Sequence, residues 1–112
     1  MEPKAREIVY LVTPSGRSPA RDFILAQKDK KIRAALEIRL YRAALGNFGD
    51  NASVGDGLRE MRIHLGPGYR VYYGLDGDKL VVLVMAGQKD TQARDIQRAK
   101  ELWAGYRAKR RS

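Results

Sequence analysis

The sequence predicts an α+β fold: a small antiparallel β-sheet, made of an N-terminal strand and a three-stranded meander, packed on a helical hairpin and followed by a C-terminal helix. Three observations carry this reading. Between Gly57 and Gly87, three runs rich in β-branched and aromatic residues are separated by Gly66-Pro67-Gly68 and Asp76-Gly77-Asp78. Both separators are turn chemistry, since Gly tolerates positive φ and Pro pre-sets the backbone. Upstream, apolar residues recur at helical spacing on either side of a polar joint, and downstream Ile96, Ala99, Leu102, Trp103 and Tyr106 form a stripe of the same period.

In chain order, Ile8–Val12 is a short branched apolar run bounded by Thr13-Pro14-Ser15-Gly16, and it reads as a first strand whose neighbour in the sheet the sequence leaves open. Ser18-Pro19 is a helix start, with Ser as N-cap and Pro at the first helical position. Ala20, Phe23, Ile24 and Gln27 follow on one face. After the joint Gln27–Lys31, a second helix from about Asp29 to Leu45 turns Ile32, Ala35, Leu36, Leu40, Ala43 and Ala44 inward. Its cations, Arg39 among them, are expected in water, and Gly46 stops it. Residues 46–57, GNFGDNASVGDG, read as a loop.

Alternation along the meander places Met61, Ile63 and Leu65 on one side of the sheet and Glu60, Arg62 and His64 on the other. The next strand sets Val71, Tyr73 and Leu75 opposite Arg70 and Tyr72. One face is therefore expected to be core and the other charged. Leu80–Ala86 is apolar without alternation, as in an interior strand covered on both sides. Asp90 or Thr91 is the expected N-cap of the last helix, and Arg107–Ser112 reads as a frayed basic tail.

A chain of 112 residues fits one core and a single domain. Lys and Arg number 22 against 13 Asp and Glu, a formal charge of +9, which favours polyanionic partners through steering and counterion release. Cysteine is absent, so no disulfide can form. Ile8–Val12 is shorter than the roughly 7–15 residues of a signal-peptide core, and no run nears the roughly 20 of a membrane span. These features lead to an expected cytoplasmic protein without membrane contact.

Metal sites, phosphate loops and protease-like triads find little support, because one histidine and no cysteine make no usual zinc site and the Gly-rich spacings are missing. A cofactor-free cleavage of RNA would need three things: a base for the 2′-hydroxyl, cations for the crowded phosphorane and a proton for the departing 5′-oxygen. Same-face neighbours on a strand stand about 6.6–7 Å apart, so Arg62 and His64 can grip one phosphodiester. Glu60 and His64, about 13 Å apart along the backbone, form a weaker acid–base pair. Arg62 beside Arg70 implies an anion between them. That anion is either a ligand or an internal salt-bridge partner, Glu60 together with a carboxylate of the last helix.

GNFGD at 46–50, GLREMRIHLGPGYRVYY at 57–73 and GQKDTQARDIQRA at 87–99 resemble the HigB-type addiction-module toxins of the RelE/ParE superfamily, in the expected order and over nearly the whole chain. The resemblance implies a RelE-like fold and a ribosome-dependent mRNA endonuclease that arrests translation. It also implies a partner antitoxin from an adjacent gene, of helix-turn-helix type. Matched by position, the catalytic set is Arg62, His64, Arg70 and Lys89. Arg59, Tyr72, Lys28 and Lys31 are the further expected RNA contacts. Lys89 suits the role physically, standing between a strand end and a helix N-terminus. A tyrosine that some relatives carry after this cation is not matched, since Asp95 and Ile96 stand there. Two alternatives stay open: a ParE-like DNA gyrase poison without nuclease activity, and an inactive basic binding protein.

Overall fold

The computed structural model describes residues 5–111. The chain is α+β, built on a five-stranded mixed sheet of order β1-β5-β4-β3-β2, where β1 is Glu7–Tyr10, β2 Asn51–Gly55, β3 Leu58–Ile63, β4 Tyr69–Asp76 and β5 Leu80–Gln88. The helices are α1 (Pro19–Leu25), α2 (Lys30–Ala44) and α3 (Gln92–Arg111), the last entered through a 3-10 turn at Lys89–Thr91. The meander forms as its turns require, with Met61 opposite Val71 and Val71 opposite Ala86.

Two features differ from the antiparallel four-stranded sheet that the sequence predicts. First, β1 runs parallel to β5, with Ile8 opposite Val81 and Tyr10 opposite Leu83. Strand direction leaves no trace in a period-two pattern, because side chains alternate faces either way. Second, the expected loop contains β2, an edge strand paired antiparallel with β3. Its polar composition hides it, since an edge strand draws its order from its partner. The overlooked signal is Asp56-Gly57, a two-residue hairpin turn with φ of +57° and +81° at its two positions.

Both faces of the sheet are covered. Ala20 and Ile24 of α1 and Leu36, Leu40 and Ala43 of α2 pack on Met61, Ile63, Val71, Tyr73, Val81 and Leu83. Ala99 and Trp103 of α3 pack on Leu58, Tyr72, Val82 and Val84 from the other side. Met61 and Arg62 thus point to opposite faces as predicted, but the face expected to be charged is half apolar. A β-bulge, at which Tyr72 and Tyr73 oppose Met85 and Leu83, sends both Val84 and Met85 toward α3. Val81 to Val84 are all fully buried, which accounts for the unbroken apolar run.

The helix signals hold with adjustments. The Asp29 side chain caps α2, accepting from the Lys31 backbone N–H at 2.9 Å, while Ser18 occupies the α1 N-cap position without a side-chain cap bond. Arg39 does not stay in water: its guanidinium donates to the carbonyls of Arg62 at 2.8 Å and Phe48 at 3.0 Å, tying α2 to the loop before β2. The expected frayed tail is helical through Arg111, and Ser112 lies outside the described residues. Its anchor is Asp76 at the end of β4, which accepts from the Tyr106 hydroxyl at 2.6 Å and pairs with Arg110 at 2.9 Å. Among the described residues, no helix is long and apolar enough to cross a membrane.

Candidate functional site

Sheet register builds the site. Arg62 on β3 stands opposite Arg70 on β4, which stands opposite Gly87 on β5, so three neighbouring strands present two guanidinium groups and a gap on one face. Asp95 of α3 fills that gap. A Cβ at Gly87 would overlap the Asp95 carboxylate, which itself accepts from the Thr91 hydroxyl at 2.6 Å. Glycine in this strand is therefore what lets the first turn of α3 approach.

The anion between the arginines is Glu60, only 1% exposed. Its Oε2 lies 2.9 Å from Arg62 Nε, while its Oε1 accepts from Gln92 Nε2 at 2.8 Å and stands 3.9 Å from Arg70 Nε. The internal salt-bridge arrangement is thus present, except that α3 contributes Gln92 onto Glu60 and no carboxylate onto either arginine. Asp50 adds a second anion, 3.7 Å from Arg62 Nη1 and 2.6 Å from His64 Nε2.

His64, Arg70 and Lys89 line one open cleft of about 300 Å³ beside the Gly66-Pro67-Gly68 turn. The Lys89 N–H donates to the Gly68 carbonyl at 3.0 Å, so the turn and the end of β5 hold one another. The Lys89 ammonium is exposed and has no hydrogen-bonded or ion-paired partner among the described residues. Arg70 is 7% exposed, and its Nε has no hydrogen-bond acceptor among them. The residues that line the cleft carry two cations, Arg70 and Lys89, and no carboxylate, which leaves positive charge for a ligand.

Of the expected catalytic set, the cleft brings together His64, Arg70 and Lys89, whereas Arg62 points at its edge toward Glu60 and Asp50. The expected RNA contacts divide. Arg59 lies on the α1/α2 face opposite Tyr73, donating to Asn51 Oδ1 from Nε at 3.0 Å and Nη2 at 2.7 Å, so it is turned away from Arg62 and Arg70. Tyr72 is wholly buried and offers no ring for stacking on a base. Burial holds its phenol well above the ordinary range, the Glu60 and Asp95 charges push it further and Arg70 opposes them, so it is a neutral core hydroxyl. Lys28 and Lys31 are exposed at the α1–α2 joint and do not line the cleft. Asp50 and Gln92 were not candidates from sequence. Their positions inside GNFGD and GQKDTQ were visible, but their partners depend on β2 pairing and on the docking of α3.

The Asp50 carboxyl is held below the ordinary carboxylate range, chiefly by the His64 hydrogen bond and further by Arg62, against a smaller effect of desolvation. A depressed carboxylate contributes stability that is present above its unfolded pKa and lost as pH falls through its folded one. Melting temperatures of wild type and Asp50→Asn should accordingly converge as pH falls below about 4, with wild type the higher above it. The gap should be small, as this pair is exposed.

No family model matches the chain. Over 75 residues it is 45% identical to an uncharacterized protein of Haemophilus influenzae, a match that covers 67% of this chain and 76% of that protein. The matched share and identity place the two in one protein family, and the chain belongs to the family of that Haemophilus protein.

Proposed function

We propose that this protein is the toxin of a toxin–antitoxin pair, an endonuclease that cuts ribosome-bound message by attack of the RNA's own 2′-hydroxyl. The observation that carries the reading is the convergence of His64, Arg70 and Lys89, from three separate segments, on one open cleft with positive charge to spare. In the proposed step the neutral His64 ring takes the 2′-hydroxyl proton, and the 2′-oxygen bonds to phosphorus. The bond to the 5′-oxygen breaks, and that oxygen takes a proton from solvent. Arg70 and Lys89 neutralise the charge that builds on the non-bridging oxygens. Arg62, occupied by Glu60 and Asp50, supports the face more than it grips the phosphate. The partner that restrains this cytoplasmic toxin would be an antitoxin more acidic than the +9 chain.

Mapping the ends of cleaved message tests this directly. The 5′ fragment should end in a 2′,3′-cyclic phosphate or the 3′-phosphate it hydrolyses to, and chelator should not change the yield while ribosomes stay intact. Lys89→Ala should lower the rate by ~10²–10³, the usual loss for one positioned donor, with the antitoxin complex retained. Fragments with a 3′-hydroxyl would overturn the mechanism.

A second reading, a basic binding protein without chemistry, draws on Glu60 and Asp50 already neutralising Arg62. Under that reading induction leaves message uncut. The gyrase-poison reading would show damaged DNA before translation fails.

A further inference from the structure

The chain has one histidine, and its partner is defined: His64 Nε2 lies 2.6 Å from Asp50 Oδ2. Backbone register sets this pairing. The Arg62 N–H donates to the Asp50 carbonyl at 2.8 Å, which continues the Asn51–Met61 ladder by one residue and sets Asp50 beside Arg62. His64 follows two residues later on the same face, a diagonal neighbour within side-chain reach. Arg62 Nη1, 3.7 Å from the second Asp50 oxygen, braces the carboxylate from the other side.

An ionised carboxylate can only accept hydrogen bonds, so a neutral imidazole bonded to it must carry its proton on Nε2. The remaining nitrogen, Nδ1, has no partner among the described residues, and the ring lines the cleft with Arg70 and Lys89. We propose that Asp50 is a positioning residue that locks His64 in the Nε2–H tautomer and leaves Nδ1 as the nitrogen that exchanges protons with a ligand in the cleft. The identity of that ligand, an RNA 2′-hydroxyl, rests on the ribonuclease reading; the tautomer does not.

When Nδ1 accepts the 2′-hydroxyl proton, the ring becomes an imidazolium with an N–H at each nitrogen. Asp50 stabilises that cation and takes no proton itself. The charged groups facing the ring are Asp50 directly, Arg62 behind it, and Arg70 and Lys89 along the cleft.

Nitrogen-15 NMR of the full chain decides the matter, because a single histidine makes assignment unambiguous. At a pH where the imidazole is neutral, wild type should show a protonated Nε2 and a bare Nδ1, and Asp50→Ala should show a mixture of tautomers. In cleavage assays Asp50→Ala should lower kcat by at least ~10-fold with KM little changed. That is less than the ~10⁴ lost with a buried orienting aspartate, because this pair is open to water.

An Nδ1–H tautomer in wild type, or an Asp50→Ala protein that keeps the single Nε2–H tautomer, overturns the role of Asp50 even if RNA is cut. Conversely, the expected tautomers in a protein that cuts no message would uphold Asp50 as the group that sets the ring and remove the ribonuclease reading. The variant should fold, since the Asp50 side chain is 46% exposed.

Discussion

Arg70→Ala is expected to cut the rate of message cleavage by ~10²–10³ and to abolish growth arrest, while the protein still folds. Arg70 is the cleft cation on the central strand β4, fixed in register between Arg62 and Gly87. Removing one partner of a buried ion pair typically costs ~3–5 kcal/mol, because it strands the other charge. Here Glu60 keeps two closer partners, Arg62 at 2.9 Å and Gln92 at 2.8 Å, against 3.9 Å for Arg70. The cost should fall well short of that range. Burying a guanidinium Nε without an acceptor is itself unfavourable, so stability alone is a poor reason for an arginine at this place. Cleavage rate and thermal melting, measured on the same preparation, check both halves. Wild-type activity in Arg70→Ala would remove the assignment, and collapse of the fold would show that Glu60 depends on Arg70 after all.

Gly74→Ala is expected to destabilise the fold by forcing α3 off the sheet. Gly74 on β4 lies beneath the Trp103 ring of α3, and a Cβ there would overlap the Cη2 and Cζ2 atoms of the indole. Trp103 has nowhere to retreat, being 4% exposed and stacked on Tyr106 at 5.2 Å and 8°. Alanine would gain ~0.4–1 kcal/mol by restricting the unfolded chain, but overpacking typically costs ~1–3 kcal/mol, so the clash prevails. At about 4–8 °C per kcal/mol in a domain near 100 residues, a drop in Tm on the order of 5–15 °C should follow. Trp103 is the only tryptophan, so its emission should shift to the red as α3 lifts from the sheet. A variant that melts with wild type and keeps its emission would show that the helix slides to make room.

How much was legible beforehand follows from the range of each interaction. Turn chemistry and alternation placed Met61, Ile63, Val71 and Tyr73 on one face and Arg62 and Arg70 on the other, because those signals act between residues a few positions apart. Helix starts at Pro19 and Asp29 were readable for the same reason. Tyr72, an expected RNA contact, is core instead, because alternation assigns a face without saying what covers it, and α3 covers that one. Arg59 has the charge an RNA contact needs, but parity along β3 sends it to the α1/α2 side.

By itself the sequence determined the meander, the three helices, the split of the β3 and β4 side chains between two faces, and the excess of positive charge. All of these follow from local backbone preference, side-chain period and composition. Only the tertiary structure decided that β1 lies parallel to β5, that a polar edge strand completes the sheet, and that His64 meets Asp50 while Glu60 sits between two arginines. Those pairings join residues far apart in the chain or on separate strands. They exist only where register and helix docking bring the groups within a few ångströms, a distance that no pattern along the chain encodes.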